Sequence, residues 1–216
     1  MSLDAEPRRQ RLEPDARRRQ ILDCAIRLFG ERPYASVSAT ELAKEAGVAR
    51  GLINHYFGGK RDLYLEVIKA MVTVPPPDRV TVPDGTLAER ADAFIDWFLT
   101  ILERHGKTWL VAVAGGGMAS DPDVGKILSD ADDLAADRLL EALGPTITEE
   151  ESLALHPMIR AYGGLIKSTG REWIERRSLT REQVHTLLTD TLVVIVESTT
   201  STSRSARGHR RTHTVD

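Results

Sequence analysis

One cysteine among 216 residues, Cys24, leaves no partner for an internal disulfide, so the fold must hold without covalent staples. Cys24 lies among apolar residues of a helical segment and reads as a buried structural thiol rather than a redox sensor. Long apolar runs are also missing. The longest, Trp109–Ala114 and Leu192–Val196, fall far short of the roughly 20 residues that a membrane span requires. The N-terminus is charged and has no signal-peptide pattern, so a cytoplasmic protein without membrane association is expected. A Gly-rich phosphate loop, a nucleophile elbow, an H-E-x-x-H pair and a Cys/His zinc spacing are all absent. No catalytic residue, metal site or cofactor is expected, and the chain does not read as an enzyme. Asp130, Asp132 and Asp133 are interspersed with leucines and read as a solvated acidic face. His209 and His213 are four apart, but in a polar tail they are a weak metal hint.

What the chain does have is an uneven distribution of charge. The formal net charge is −3, yet residues 1–61 hold twelve Lys/Arg against eight Asp/Glu, a net of +4. The remainder holds 17 against 24, a net of −7. A basic front on an acidic body suits a nucleic-acid-binding head followed by a different rear domain.

The front is organised around Ser38–Lys60. Ser38 and Glu41 form a capping box that fixes a helix start. Leu42, Ala43 and Ala46 give that helix one apolar side, and Gly47 supplies the corner between two helices. A second short helix, from about Ala49 to Tyr56, carries Arg50, Asn54 and His55 as polar groups while Leu52, Ile53 and Phe57 can face inward. Such a helix fits a DNA major groove. Arg50, Leu52, Asn54 and His55 are the candidates for base edges, and Gly51 lets the backbone come close. Ser38, Thr40, Tyr56 and Lys60 are the candidates for phosphates. Leu52 as apolar support and Tyr56 as a core residue remain open alternatives.

The spacing of Ala46-Gly47-Val48, Gly51, His55-Tyr56-Phe57, Lys60 and Leu63 resembles the DNA-binding domain of the tetracycline-repressor (TetR) family of bacterial regulators. The resemblance extends upstream through Ile21, Ala25, Phe29 and Tyr34, and covers roughly the first 65 residues. Three positions depart from the family pattern. Ala49 replaces a Ser or Thr that would cap the second helix, a loss of about 0.5–2 kcal/mol. Asn54 replaces a frequent Tyr, which shifts that position toward adenine readout. Gly59 replaces a small polar cap before Lys60.

Beyond the head the pattern is helical throughout. A first helix from Asp15 to about Glu31 presents Ile21, Leu22, Ala25, Leu28 and Phe29. A fourth begins at Lys60 and stops at Pro75-Pro76-Pro77. Thr86 with Glu89 opens a fifth, to about Arg104, and a sixth from Thr108 ends in Gly115-Gly116-Gly117. Asp121-Pro122 and Gly144-Pro145 bracket a seventh. Thr148 with Glu151 opens an eighth that Pro157 should kink or break, and Thr180 with Gln183 opens a ninth. The expectation is therefore an all-α protein of about nine helices. Its parts are a flexible basic arm (1–14), a helix-turn-helix domain with linking helix (15–72), a linker (73–85), a helical effector-binding and dimerisation domain (86–199) and a disordered tail (200–216).

The last two helices carry apolar residues on more than one face, and Gly163, Gly164 and Gly170 allow close helix approach, so a homodimer through a four-helix bundle is expected. The resemblance implies a repressor that binds an inverted-repeat operator in double-stranded DNA and is released by a small-molecule effector. It also implies that the helix before the linker relays ligand binding to DNA. Candidates to meet the effector are Phe94, Trp97, Phe98, Trp109, Met118, Met158 and Tyr162, with His105 or Arg160 as polar anchors. Two other readings stand beside this one: a regulator without an effector, and a helical binding protein or enzyme that does not act on DNA.

Overall fold

A computed structural model describes residues 13–76, 82–144 and 147–212, with backbone alone from 202 onward. The described residues form eight α-helices and one 3-10 turn: α1 (Pro14–Glu31), the turn Tyr34–Ser36, α2 (Ala39–Glu45), α3 (Gly51–Phe57), α4 (Lys60–Val72), α5 (Leu87–Val113), α6 (Pro122–Leu143), α7 (Glu149–Ile174) and α8 (Arg181–Thr212). None of these helices is long and apolar enough to cross a membrane. The chain divides into two compact units between Val67 and Ile68. The basic arm, residues 77–81 and His213 lie outside the described residues, and the side chain of His209 is not described.

In the first unit, α1 buries Ile21, Ala25, Leu28 and Phe29 at the predicted helical spacing. Leu42 and Ala43 of α2, Ile53 and Phe57 of α3, and Leu63 and Val67 of α4 are buried as well. Each of these side chains larger than alanine contributes about 1.5–3 kcal/mol through burial. The turn Tyr34–Ser36 is held by an aromatic cluster. Phe29 and Tyr64 meet edge-on at 4.9 Å, and Tyr34 lies 4.8 Å from Tyr64. Burial, with Tyr34 beside it, pushes the Tyr64 phenol up to about 12. Cys24 is half-buried rather than enclosed, and partial burial raises its thiol pKa, which keeps it protonated and unreactive.

In the second unit, α5 contributes Phe94, Ile95, Phe98, Leu99 and Leu102 to the core; α6 adds Leu139 and Leu143, α7 adds Leu155 and Ile159, and α8 adds Val184, Leu188, Leu192 and Val196. The buried Tyr162 hydroxyl donates to the Leu188 carbonyl at 2.8 Å, which ties α7 to α8. The capping boxes at Thr86/Glu89 and Thr148/Glu151 are both formed.

Three expectations are corrected here. The fifth and sixth helices are one, because Gly106 continues α5 where a break was expected. A Cβ there would stand 2.2 Å from Ile174 Cδ1, so the missing side chain lets α7 close on the middle of α5. Pro157 does not break α7, which runs unbroken from Glu149 to Ile174. The tail expected to be disordered from residue 200 is helical to Thr212. Its first hydroxyls bond back onto their own helix, Thr200 to the Val196 carbonyl and Ser201 to that of Ser198, instead of drawing the backbone out of it. The acidic run on α6 is also more than a solvated face. Asp132 pairs with Lys167 and Asp133 with Arg160, and Asp137 makes a hydrogen bond with His156, which gives α6 and α7 a ladder of polar links.

Candidate nucleic-acid interface and apolar cavity

The corner between α2 and α3 is set by backbone geometry. Gly47 sits at φ +64°, and Val48 N–H reaches the Ala43 carbonyl at 2.9 Å while Gly47 N–H reaches that of Lys44 at 3.1 Å. This paired closure needs a left-handed residue, which glycine adopts without a Cβ clash. Gln20 of α1 adds a bond from its amide to the Ala46 carbonyl at 2.9 Å, fixing the end of α2 against the supporting helix. At the other end, Ser38 accepts from Glu41 N–H and the Glu41 carboxylate returns to Ser38 N–H. Arg32 holds the same carboxylate and keeps it below the usual carboxylate range.

α3 then presents two unlike faces. Ile53 and Phe57 are buried, Leu52 and Tyr56 half-buried, and Arg50, Asn54 and His55 exposed. Arg50 stands at the N-cap with no side-chain cap bond, as the Ala49 substitution predicts. Nothing lies within 4 Å of the place where a Gly51 Cβ would be. No contact inside the domain therefore requires glycine at this exposed position. Ser38 and Thr40 are exposed at the start of α2. Lys60 has an intramolecular partner: its ammonium donates to the Tyr34 carbonyl at 2.7 Å and lies 3.9 Å from the Tyr34 ring centroid. Burial lowers its pKa from the ordinary lysine value.

The model of the tetR family of bacterial regulatory proteins matches residues 21–67, the span just described. Residues 21–67 are thus similar to the DNA-binding domain of the TetR family. The TetR-type head is 43% identical over 61 residues to the HTH-type transcriptional regulator BetI of Brucella anthropi, covering 28% of this chain and 31% of that protein. Against BetI of Agrobacterium fabrum the identity is 39% over 61 residues, covering 28% of this chain and 29% of that protein. The match thus spans about three-tenths of the length of these curated relatives. A tetR-family regulator from Streptomyces coelicolor superposes with a TM-score of 0.68 at 24% identity, covering 88% of this chain and 84% of that one. FadR from Bacillus subtilis, solved in complex with stearoyl-CoA, superposes with a TM-score of 0.55 at 17% identity, covering 82% and 97%. At these identities the two structures establish a shared fold.

The second unit contains an apolar cavity of about 70 Å³, partly open to solvent. Phe94, Phe98 and Trp109 line it from α5, and Ile159, Tyr162 and Ile166 from α7. Phe98 and Trp109 meet edge to face at 6.1 Å. Arg160 also lies in the wall, so five of the nine residues expected to meet a ligand come together. The other four do not. Trp97 packs beside Phe94, with ring centroids 5.4 Å apart, but is not in the wall. His105 lines a separate groove with Arg104 and Trp173. Met118 lies past the end of α5, and Met158 is exposed with its sulfur 3.0 Å from the Thr199 hydroxyl. Met158 precedes the wall residue Ile159 by one position, a turn of about 100° around the helix. Asp132 and Lys167 were not anticipated, yet both line the cavity as a pair 2.7 Å apart. Their sequence signal was the same-face spacing of Arg160, Gly163 and Lys167, which marks a polar edge on an otherwise apolar stripe.

Proposed function

We propose that this chain is a dimeric DNA-binding transcriptional repressor that recognises an inverted-repeat operator and is released by a small organic effector. The observation that carries the reading is α3, a short helix anchored by buried Ile53 and Phe57 that offers exposed Arg50, Asn54 and His55 beside an unobstructed Gly51. Arg50 and Asn54 have the side chains best suited to guanine and adenine edges. The BetI relatives, which are HTH-type transcriptional regulators, support the same assignment for the head.

The dimer would form through α7 and α8, which carry the exposed Leu153, Met158, Leu187 and Val194. These are the large exposed hydrophobic side chains among the described residues, and they fall on the two helices that apolar patterning assigns to a bundle. The effector would occupy the cavity among α5, α6 and α7. FadR, of similar fold, in complex with stearoyl-CoA supports the idea that this architecture takes an organic ligand. Bound effector would favour a dimer whose heads no longer match the operator spacing. Repression then requires only occlusion of a promoter.

Selection of bound sequences from a random duplex library, followed by affinity measurements at several salt concentrations, tests the reading. A palindromic site is expected, with affinity falling steeply as salt rises. Arg50→Ala should cost about 1–3 kcal/mol and relax specificity at one position of each half-site. Absence of any enriched site, together with salt-independent behaviour, would overturn it.

A further inference from the structure

Resting on the effector reading above, we infer that the ligand of the α5–α7 cavity is a small aromatic carboxylate, its ring among Phe98, Trp109 and Tyr162 and its carboxylate over Gly163 between Arg160 and Lys167. The body of the cavity offers no competing polar anchor. The Tyr162 hydroxyl is committed to the Leu188 carbonyl, and Phe94 and Phe98 are buried in the α5 wall. Aromatic rings edge-on to one another, as Phe98 and Trp109 are, suit a flat π-system better than a flexible chain.

The charged edge decides the sign of the head group. Asp132, Arg160 and Lys167 are the ionisable side chains in the wall apart from Tyr162. Both oxygens of Asp132 already accept from the Lys167 ammonium, at 2.7 and 2.8 Å. A cationic ligand would have to displace Lys167 to reach that carboxylate. An anion meets no such competition. Arg160 gives Nη1 to Asp133 at 2.8 Å, which leaves other N–H groups of its five-donor fork available among the described residues. Lys167 likewise has three donors for one carboxylate partner. The edge therefore has spare donors, and a cation could reach the lone pairs left on its carboxylates only against the ammonium and guanidinium already seated on them.

The spacing on α7 adds a place for the head group. Arg160 and Lys167 are seven residues apart on one face, about 10 Å along the helix. Gly163 lies between them, lines the cavity, and has nothing within 4 Å of the position a Cβ would take. Two cations thus flank an open floor wide enough for a carboxylate, which can take charge-assisted bonds from either side.

Calorimetric titration of the full-length protein without DNA, using benzoate, benzyl alcohol and benzylammonium, separates the possibilities because only the head group differs and the single ring suits a small, partly open cavity. Benzoate should bind about tenfold or more tightly than either of the others, the value of a charge-assisted bond in a partly enclosed site. The paired variant Asp132→Asn with Lys167→Met strands no lone charge, and should cut the benzoate preference by about tenfold while leaving benzyl alcohol unchanged. If that pair fails to fold by circular dichroism, Asp133→Asn with Arg160→Met makes the same test from the other side. Equal affinities, a preference for the ammonium, no binding of any probe, or a preference undiminished in the folded variant would overturn the inference. The effector reading fails separately. Preferential benzoate binding without operator release would leave this inference standing and sink the release mechanism. Operator release by all three probes alike would do the reverse.

Discussion

Two aromatic-cluster residues in the head carry consequences that a sequence pattern does not show. Tyr64 is buried, and its phenol is pushed up to about 12 by burial and by the neighbouring Tyr34. A raised acid pKa means that the folded state favours the neutral phenol. Its stabilising contribution is complete below pH of about 10, the unfolded value, and is lost as pH climbs from there toward about 12. The loss amounts to about 2–3 kcal/mol. Ultraviolet titration of phenolate should show a late transition that loses amplitude in Tyr64→Phe, and that variant's stability should fall less between pH of about 10 and 12. Lys60 is one of the four phosphate candidates, and the structure gives its ammonium an intramolecular task on Tyr34. Lys60→Met should lower the stability of the head by about 1–3 kcal/mol through the lost charge-assisted bond. If Lys60 also contacts a phosphate when DNA is bound, the same variant should reduce the salt slope of operator binding by about 1. Chemical denaturation and salt titration read these two effects independently.

Helix starts were legible because they are chemical events at fixed spacing. Ser38/Glu41, Thr86/Glu89, Thr148/Glu151 and Thr180/Gln183 each place an acceptor opposite a free N–H, and the structure forms these bonds in all four. Helix continuity was less legible, because it depends on what packs from elsewhere. The apolar spacing stops near Arg104 and resumes at Thr108, but Gly106 between them is packed against by Ile174, some seventy residues later in the chain. Propensity counts the cost of a helical glycine, about 1 kcal/mol, and cannot see the contact that offsets it. The cavity divides in the same way. Phe94, Phe98, Trp109 and Tyr162 were named as separate helix-borne candidates, whereas the Asp132–Lys167 edge joins α6 to α7 and needed tertiary structure. Gly106→Ala should accordingly destabilise the second unit rather than stabilise it, by about 1–3 kcal/mol, the usual cost of overpacking. Ile174→Val in the same chain should recover part of the loss by relieving the 2.2 Å approach to Cδ1. Thermal unfolding of the two variants gives the sign directly; a Gly106→Ala protein more stable than wild type would mean that Ile174 moves aside freely.

At the scale of the molecule, the apolar surface and the proposed activity lead to one experiment. Leu153 is 75% exposed, Val194 63%, Met158 45% and Leu187 42%, all on α7 and α8. A chain that left such side chains in water would gain nothing from them. Covering them with the same helices of a second copy is the arrangement a twofold axis provides. Leu187 and Val194 are seven residues apart on α8 and share a face. Replacing both with Glu should leave each folded monomer almost unaffected, since neither side chain is buried in its own core. Across a twofold axis the same change would crowd carboxylates into the interface, where like charges lose their water without gaining a partner. Sedimentation equilibrium should then show wild type as a dimer at micromolar concentration and the variant as a monomer, with matching helical circular dichroism. Operator binding should weaken by about a hundredfold or more, because two linked heads see each other at roughly millimolar effective concentration and separated heads do not. A monomeric variant that kept wild-type operator affinity would show that one head suffices and that the operator is not read as an inverted repeat. A variant still dimeric would move the interface away from α8, and with it the geometry that sets the spacing between half-sites.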